Sequence, residues 1–335
     1  MRFFFHILIG CMFFLVSGFN AACQAPPKPR DSTILGPQTF AMVMGISSYL
    51  HVHPLKYADK DAEMFRDYLK SPAGGKLPDD NIYLLLNEQA LLANFFTKGF
   101  KWLQAKQLQK GDRLFIYLAG HGDAIDEDQF FYLAYDCNPA GDKNNYLVSG
   151  AIRMADVKIK IQREAAKGVD VYLIMDACRS GELPGGQEGK SFFNQAISEK
   201  KAGEIMMLAS SAGQESLEDV SIGNGHGLFT YYLVDGLNGM ADSSGTSDNN
   251  ITLEEIQKYV YKNVPVIAQQ RFKRKQEPFF CCPENIGKIV GIVDTAYLTK
   301  WKGYKKLLSK NPSPSVAPRG RGGIGTLSDT LLIEA

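Results

Sequence analysis

Leu114-Phe115-Ile116-Tyr117-Leu118-Ala119-Gly120-His121-Gly122-Asp123 and Val171-Tyr172-Leu173-Ile174-Met175-Asp176-Ala177-Cys178-Arg179-Ser180-Gly181 are two apolar runs that each break off into polar, glycine-bearing chemistry. Short continuous runs of this kind, rich in β-branched and aromatic residues, suit strands buried on both faces of a sheet. Similar runs occur at 40–46, 82–86 and 205–209. Between them lie helical patterns: 58–69 with Ala62, Phe65 and Leu69 on one face, 91–108 with Phe95, Trp102 and Leu103 inward, and 154–166. Strands alternating with helices predict an α/β layer fold, a mostly parallel central sheet with helices on both faces.

The Gly/Pro-rich stretch at 182–189 separates this block from a smaller one. The smaller block holds the run at 205–209, a helix over 228–237 and another after Thr252, where Thr252 and Glu255 have capping-box spacing. At 311–315 and 319–323 the composition shifts to Pro, Ser, Gly and Arg, which favours disorder.

Composition bounds the function. The chain has 335 residues, 45% hydrophobic and 22% charged, so it can bury a full core. Lys and Arg number 37 against 36 Asp and Glu, which lacks the basic excess that nucleic-acid binding requires. No nucleic-acid partner is expected. At the N-terminus Arg2 precedes an apolar stretch from Phe3 to Phe19 and then Ala21-Ala22. The stretch barely reaches the roughly 17 residues that mark the lower edge of a membrane span, so it reads as a cleaved export signal. Lipidation at Cys23 and an uncleaved membrane anchor are the alternatives, and each gives an exported protein: periplasmic, outer-envelope or secreted. Six cysteines, at 11, 23, 137, 178, 281 and 282, form neither a disulfide framework nor zinc spacing. Cys281 and Cys282 read as partly buried strand residues, with a disulfide to Cys137 as the sharper alternative. No metal and no cofactor is expected.

Ligands of open α/β sheets sit beyond the carboxyl ends of the strands. There the chain offers an imidazole at His121 and a thiol at Cys178, 57 residues apart. A cysteine nucleophile acts as its thiolate, and an imidazole can take the thiol proton and later give one to a leaving amine. The backbone N–H groups of Gly122 and Cys178 are the natural donors to a developing oxyanion. A second Gly-His-Gly, at Gly225-His226-Gly227, competes for the base but precedes a helix rather than ending a strand. His51 and His53 lie in a Pro-containing loop and read as surface histidines. Asp123, Asp126, Glu127 and Asp128 lack EF-hand spacing and read as a solvated rim loop.

Tyr117-Leu118-Ala119-Gly120-His121-Gly122 and Asp176-Ala177-Cys178-Arg179-Ser180-Gly181 resemble the His-Gly and Asp-x-Cys motifs of the caspase-like cysteine peptidases, in their bacterial caspase-homologue and metacaspase branch. Three more segments agree in order: Leu55 to Ala62, Ala209 to Gln214, and Gly225 to Thr230. The resemblance implies a caspase-like sandwich and a cysteine endopeptidase with His121 and Cys178 as the catalytic dyad, acting on a protein or peptide. It also implies that Asp61 and Asp176 line a pocket for an Arg or Lys side chain at P1, with Ser210 joining the substrate-binding set. Two departures stand out. Ala119 replaces the metacaspase serine two residues before the catalytic His, and Leu55 stands where an Asp-directed caspase pocket needs arginine. The implied division is 1–22 signal or anchor, 23–37 linker, 38–295 peptidase domain and 296–335 a partly disordered tail. Within the domain, 38–182 is the large-subunit region, 183–203 a linker carrying Lys190, Lys200 and Lys201 as candidate self-cleavage points, and 204–295 the small-subunit region. Other classes consistent with the sequence are a caspase-fold scaffold without proteolysis and a thiol hydrolase acting on a non-protein amide; intact Cys178 and His121 favour the peptidase.

Overall fold

The computed structural model describes residues 28–33, 36–125, 129–179, 203–211, 214–242, 245, 247–281 and 285–310, with Cys178, Arg179, Ser309 and Lys310 described by their backbone alone. Residues 1–27, where the export signal was expected, most of the 183–203 linker, Asp126 to Asp128 and residues 311–335 lie outside that set.

The sheet grows from the apolar runs. Strands β1 (Thr39–Gly45), β2 (Ile82–Leu86), β3 (Arg113–Ala124), β6 (Asp170–Arg179) and β7 (Glu204–Leu208) pair in parallel in the order β7-β6-β3-β1-β2. The two longest, β3 and β6, lie at the centre. A short strand at Phe279–Phe280 pairs antiparallel with β7 and closes one edge. Two further strands, β4 (Phe130–Leu133) and β5 (Ala151–Arg153), extend the upper part of β3 as an antiparallel ribbon. Both are shorter than the windows in which periodicity can be read, and neither was expected.

Two apolar clusters fill the two sides of this sheet. One joins Phe65, Tyr117, Tyr172, Met207, Phe229 and Ile256; the other joins Phe40, Ile116, Trp102, Leu103, Val157 and Ile161. The first is covered by α1 (Ala58–Lys70), by the helix Leu228–Asp235, here α4, and by α5 (Leu253–Ile267). The second is covered by α2 (Phe100–Lys106), which continues a π-helical turn at Asn94–Gly99, and by α3 (Met154–Ala165). Ala62, Phe65 and Leu69 of α1 are all fully buried, as their spacing predicts. Thr252 closes the predicted capping box: its hydroxyl accepts from the Glu255 N–H, and the Glu255 carboxylate accepts from the Thr252 N–H.

The C-terminal boundary differs from expectation. Thr295–Lys310 is a helix, α6, packed on the domain through Trp301, where the tail was expected to start at 296. Its anchor is Asp235, a fully buried carboxylate that accepts from Tyr259 Oη at 2.6 Å, Trp301 Nε1 at 2.7 Å and Lys305 Nζ at 2.7 Å. A single acidic residue at the end of α4 thus ties α5 and α6 together, a link with no local sequence signature. Among the described residues, no helix is long and apolar enough to cross a membrane.

Candidate active site

The register between β3 and β6 brings the two motifs together. Ala119 pairs with Asp176, Gly120 with Ala177, His121 with Cys178 and Gly122 with Arg179. Strand alternation places 117, 119 and 121 on the α1 and α4 side, with 174 and 176 of β6. His121 is 5% exposed. Its backbone N–H donates to Tyr49 Oη at 2.7 Å, and the two rings lie 4.9 Å apart. Its Nε2 lies 2.8 Å from the backbone carbonyl oxygen of His53. A carbonyl only accepts, so this contact places the ring proton on Nε2 and leaves Nδ1 as the basic nitrogen. Glycine at 120 is required by close approach: a Cβ there would sit 2.6 Å from Tyr49 Oη and 2.7 Å from Tyr132 Oη. Tyr132 Oη in turn donates to the Ala119 carbonyl at 2.7 Å, which fixes the strand just below the histidine.

Asp123 departs from the expected solvated rim. It is buried, and its carboxylate accepts from Lys143 Nζ at 3.0 Å and from Tyr146 Oη at 3.0 Å. The lysine is remote in sequence and neutralises it there, so Asp123 braces the strand rather than decorating a loop. Cys137 is a free, buried thiol whose pKa burial pushes up to about 12, while Cys281 is disulfide-bonded, so the two are not joined to each other.

On the same side, Asp61 and Asp176 form a buried acidic pair. They are 3% and 7% exposed and flank Gly227, where a Cβ would lie 2.8 Å from an oxygen of each. Asp176 takes Ser216 Oγ at 2.6 Å on Oδ1, and both the Thr230 N–H at 3.2 Å and Thr230 Oγ1 at 2.5 Å on Oδ2. Because Thr230 gives its hydroxyl proton to Asp176, Tyr117 Oη, 2.6 Å from Thr230 Oγ1, must be the donor to it. Asp61 takes the Gly227 N–H on both oxygens at 3.0 Å and His226 Nδ1 at 2.9 Å on Oδ1. Burial raises the pKa of both carboxyls, and the neighbouring Asp176 raises Asp61 further, well above the usual carboxylate range. Burial and then nearby Lys60 push His226 down to about 3. The His226–Asp61 contact is short enough for an ion pair, yet burial disfavours charge on both members, so the imidazole is neutral and donates through Nδ1.

Glu218 completes the acidic surround. Its two oxygens accept from the Lys56 and Tyr57 N–H groups at 2.8 and 3.0 Å, which ties the segment before α1 to the two-strand ladder Glu218–Asp219 with His226–Gly227. Ser210 follows β7 by two residues and donates to the Gln214 carbonyl at 3.1 Å; the serine that touches Asp176 is Ser216. Ser216, Thr230, Glu218, Tyr49 and the His53 carbonyl were all missed from sequence. Thr230 alone carried a signal, as the last residue of the Gly225 to Thr230 segment. Among the described residues, no group of three His, Cys, Asp or Glu side chains is placed to hold a metal ion.

A family model described as a caspase domain matches residues 38–289. The chain belongs to the caspase domain family. A curated relative named "Probable protease", from a Desulfuromonadales bacterium, is 28% identical over 224 residues, 62% of this chain. The match spans 26% of that relative's length. Among solved structures, a protein of Geobacter sulfurreducens superposes with a TM-score of 0.49 at 15% identity, covering 77% of this chain and all of that one. The Drosophila initiator caspase Dronc gives 0.48 at 13% identity over 86% of this chain and 95% of its own, and pro-sf-caspase-1 gives 0.46 at 14% over 77% and 95%.

Proposed function

We propose that this caspase-domain protein is a cysteine endopeptidase that cleaves peptides after Arg or Lys, with Cys178 as nucleophile and His121 as base. The observation that carries this reading is the pairing of His121 with Cys178 on adjacent central strands, beside two buried carboxylates that lack a described cation. His226 is less suited to be the base: it pairs with Asp219 on a separate two-strand ladder rather than with Cys178, and burial pushes its pKa down to about 3.

In the reaction, Nδ1 of His121 takes the Cys178 thiol proton and the thiolate attacks the scissile carbonyl carbon. The carbonyl π electrons move to oxygen, to which the backbone N–H groups of Gly122 and Cys178 donate hydrogen bonds. Collapse of the tetrahedral species breaks the C–N bond; His121 returns the proton to the leaving amine and a thioester remains on Cys178. His121 then deprotonates a water molecule, which attacks the thioester and releases the acid and the thiol. Through Nε2, the His53 carbonyl keeps the ring in one tautomer and stabilises the imidazolium formed in each half-reaction.

The pocket argument is electrostatic. Two carboxylates held together away from water repel each other, and a cationic side chain between them relieves that cost. Asp, by contrast, would add a third negative charge. The export pattern of residues 1–22 adds an envelope or extracellular setting. The test is hydrolysis of a positional P1 library by wild type and by Cys178→Ala. Cleavage after Arg or Lys, absent in Cys178→Ala, is expected; a best substrate with Asp at P1 would overturn the pocket assignment.

A further inference from the structure

His226 fills an acceptor site that an arginine would otherwise use. A carboxylate oxygen accepts about two hydrogen bonds, and a fork-to-fork guanidinium contact needs an open site on both oxygens of one carboxylate. Asp61 Oδ1 already holds the Gly227 N–H and His226 Nδ1, and Asp176 Oδ2 already holds both donors of Thr230. What stays open, among the described residues, is one site on Asp61 Oδ2, which takes only the Gly227 N–H, and one on Asp176 Oδ1, which takes only Ser216 Oγ. Neither carboxylate can present both oxygens to a guanidinium.

We infer that His226 is a specificity-determining residue that makes the pocket prefer Lys over Arg at P1; this rests on the basic-pocket reading above. An ammonium has three donors with no fixed plane, so it can take single lone pairs from two different carboxylates. Both carboxylates border the position of the absent Gly227 side chain, with Oδ2 of each 2.8 Å from where its Cβ would be. His226 acts through Asp61, and its role is to hold Oδ1. Without the imidazole, Asp61 would have one open site on each oxygen, which is the arrangement a guanidinium fork matches. An asparagine at 226 keeps an N–H donor close to the position of the imidazole Nδ1–H, whereas alanine removes it.

The experiment compares kcat/KM on two fluorogenic peptides that differ only in Lys or Arg at P1, for wild type, His226→Asn and His226→Ala. Wild type is expected to favour Lys by about fivefold to tenfold, the scale of one ordinary net hydrogen bond. His226→Asn should keep that order, and His226→Ala should move the ratio to parity or in favour of Arg. Melting curves check that the variants fold; if His226→Ala does not, His226→Ser carries the same comparison. A wild-type preference for Arg, or a Lys preference unaltered when the donor is removed, overturns the role of His226 while leaving a basic pocket intact. Faster cleavage of neutral or Asp P1 peptides than of either basic one overturns the basic pocket itself, and this inference with it.

Discussion

Gly227 is the residue on which the acidic site turns. A Cβ there would lie 2.8 Å from an oxygen of both Asp61 and Asp176, so any side chain forces these buried carboxylates to shift. Gly227→Ala should therefore lower kcat/KM on basic P1 peptides on the order of 10²-fold, the cost of about an ångström of misplacement, while a melting curve shows the fold retained. Protonation gives a second prediction. Asp61 is raised by burial and by Asp176, so in the empty site it holds its proton above the usual carboxylate range. A bound cation favours the ionised form, so binding expels that proton. KM for a Lys peptide should then fall as pH rises above the ordinary Asp range, and the gain should be lost as pH falls through the raised pKa. KM profiles for wild type and Asp61→Asn check this; a pH-independent wild-type KM would count against an ionising Asp61. At this scale the sequence was partly legible. His121, Cys178, Asp61 and Asp176 stand in motifs whose chemistry is local. Ser216 and Glu218 do not, since both act through contacts between segments 40 to 162 residues apart. The His53 carbonyl could not be read at all, because every residue has one.

Helices α1 and α4 carry the pocket because their first turns meet beside the carboxyl ends of β3 and β6. Phe65 of α1 stacks on Tyr117 of β3 with ring centroids 4.6 Å apart, and Tyr117 passes the contact to Thr230 in α4. The parallel core was legible because its strands are long and uniformly apolar, and the amphipathic helices because their buried positions recur every three to four residues. The antiparallel ribbon Phe130–Leu133 with Ala151–Arg153 was not: strands of three or four residues carry no measurable period. Helix α6 was masked by its lysines, although it packs on the core through Tyr297, Trp301 and Tyr304. Asp235→Ala would strip two buried donors, Tyr259 and Trp301, and the part-buried Lys305 of their acceptor at once. It should destabilise the domain by about 3–5 kcal/mol, read as a lower denaturation midpoint, with α6 exchanging its amide hydrogens first.

Across the described residues, an eight-stranded sheet serves as a platform whose two longest neighbouring strands carry a histidine and a cysteine paired in register near their carboxyl ends. The buried acidic pair of Asp61 and Asp176 lies on the α1 and α4 side of that line. The most direct test of the account is mass-spectrometric mapping of the residue alkylated by a peptidyl acyloxymethyl ketone with Lys at P1. The account predicts a single adduct on Cys178, absent from His121→Ala at the same exposure and suppressed by excess Lys peptide. An adduct on Cys137, Cys281 or Cys282 instead, or equal labelling by the same probe with Asp at P1, would contradict it.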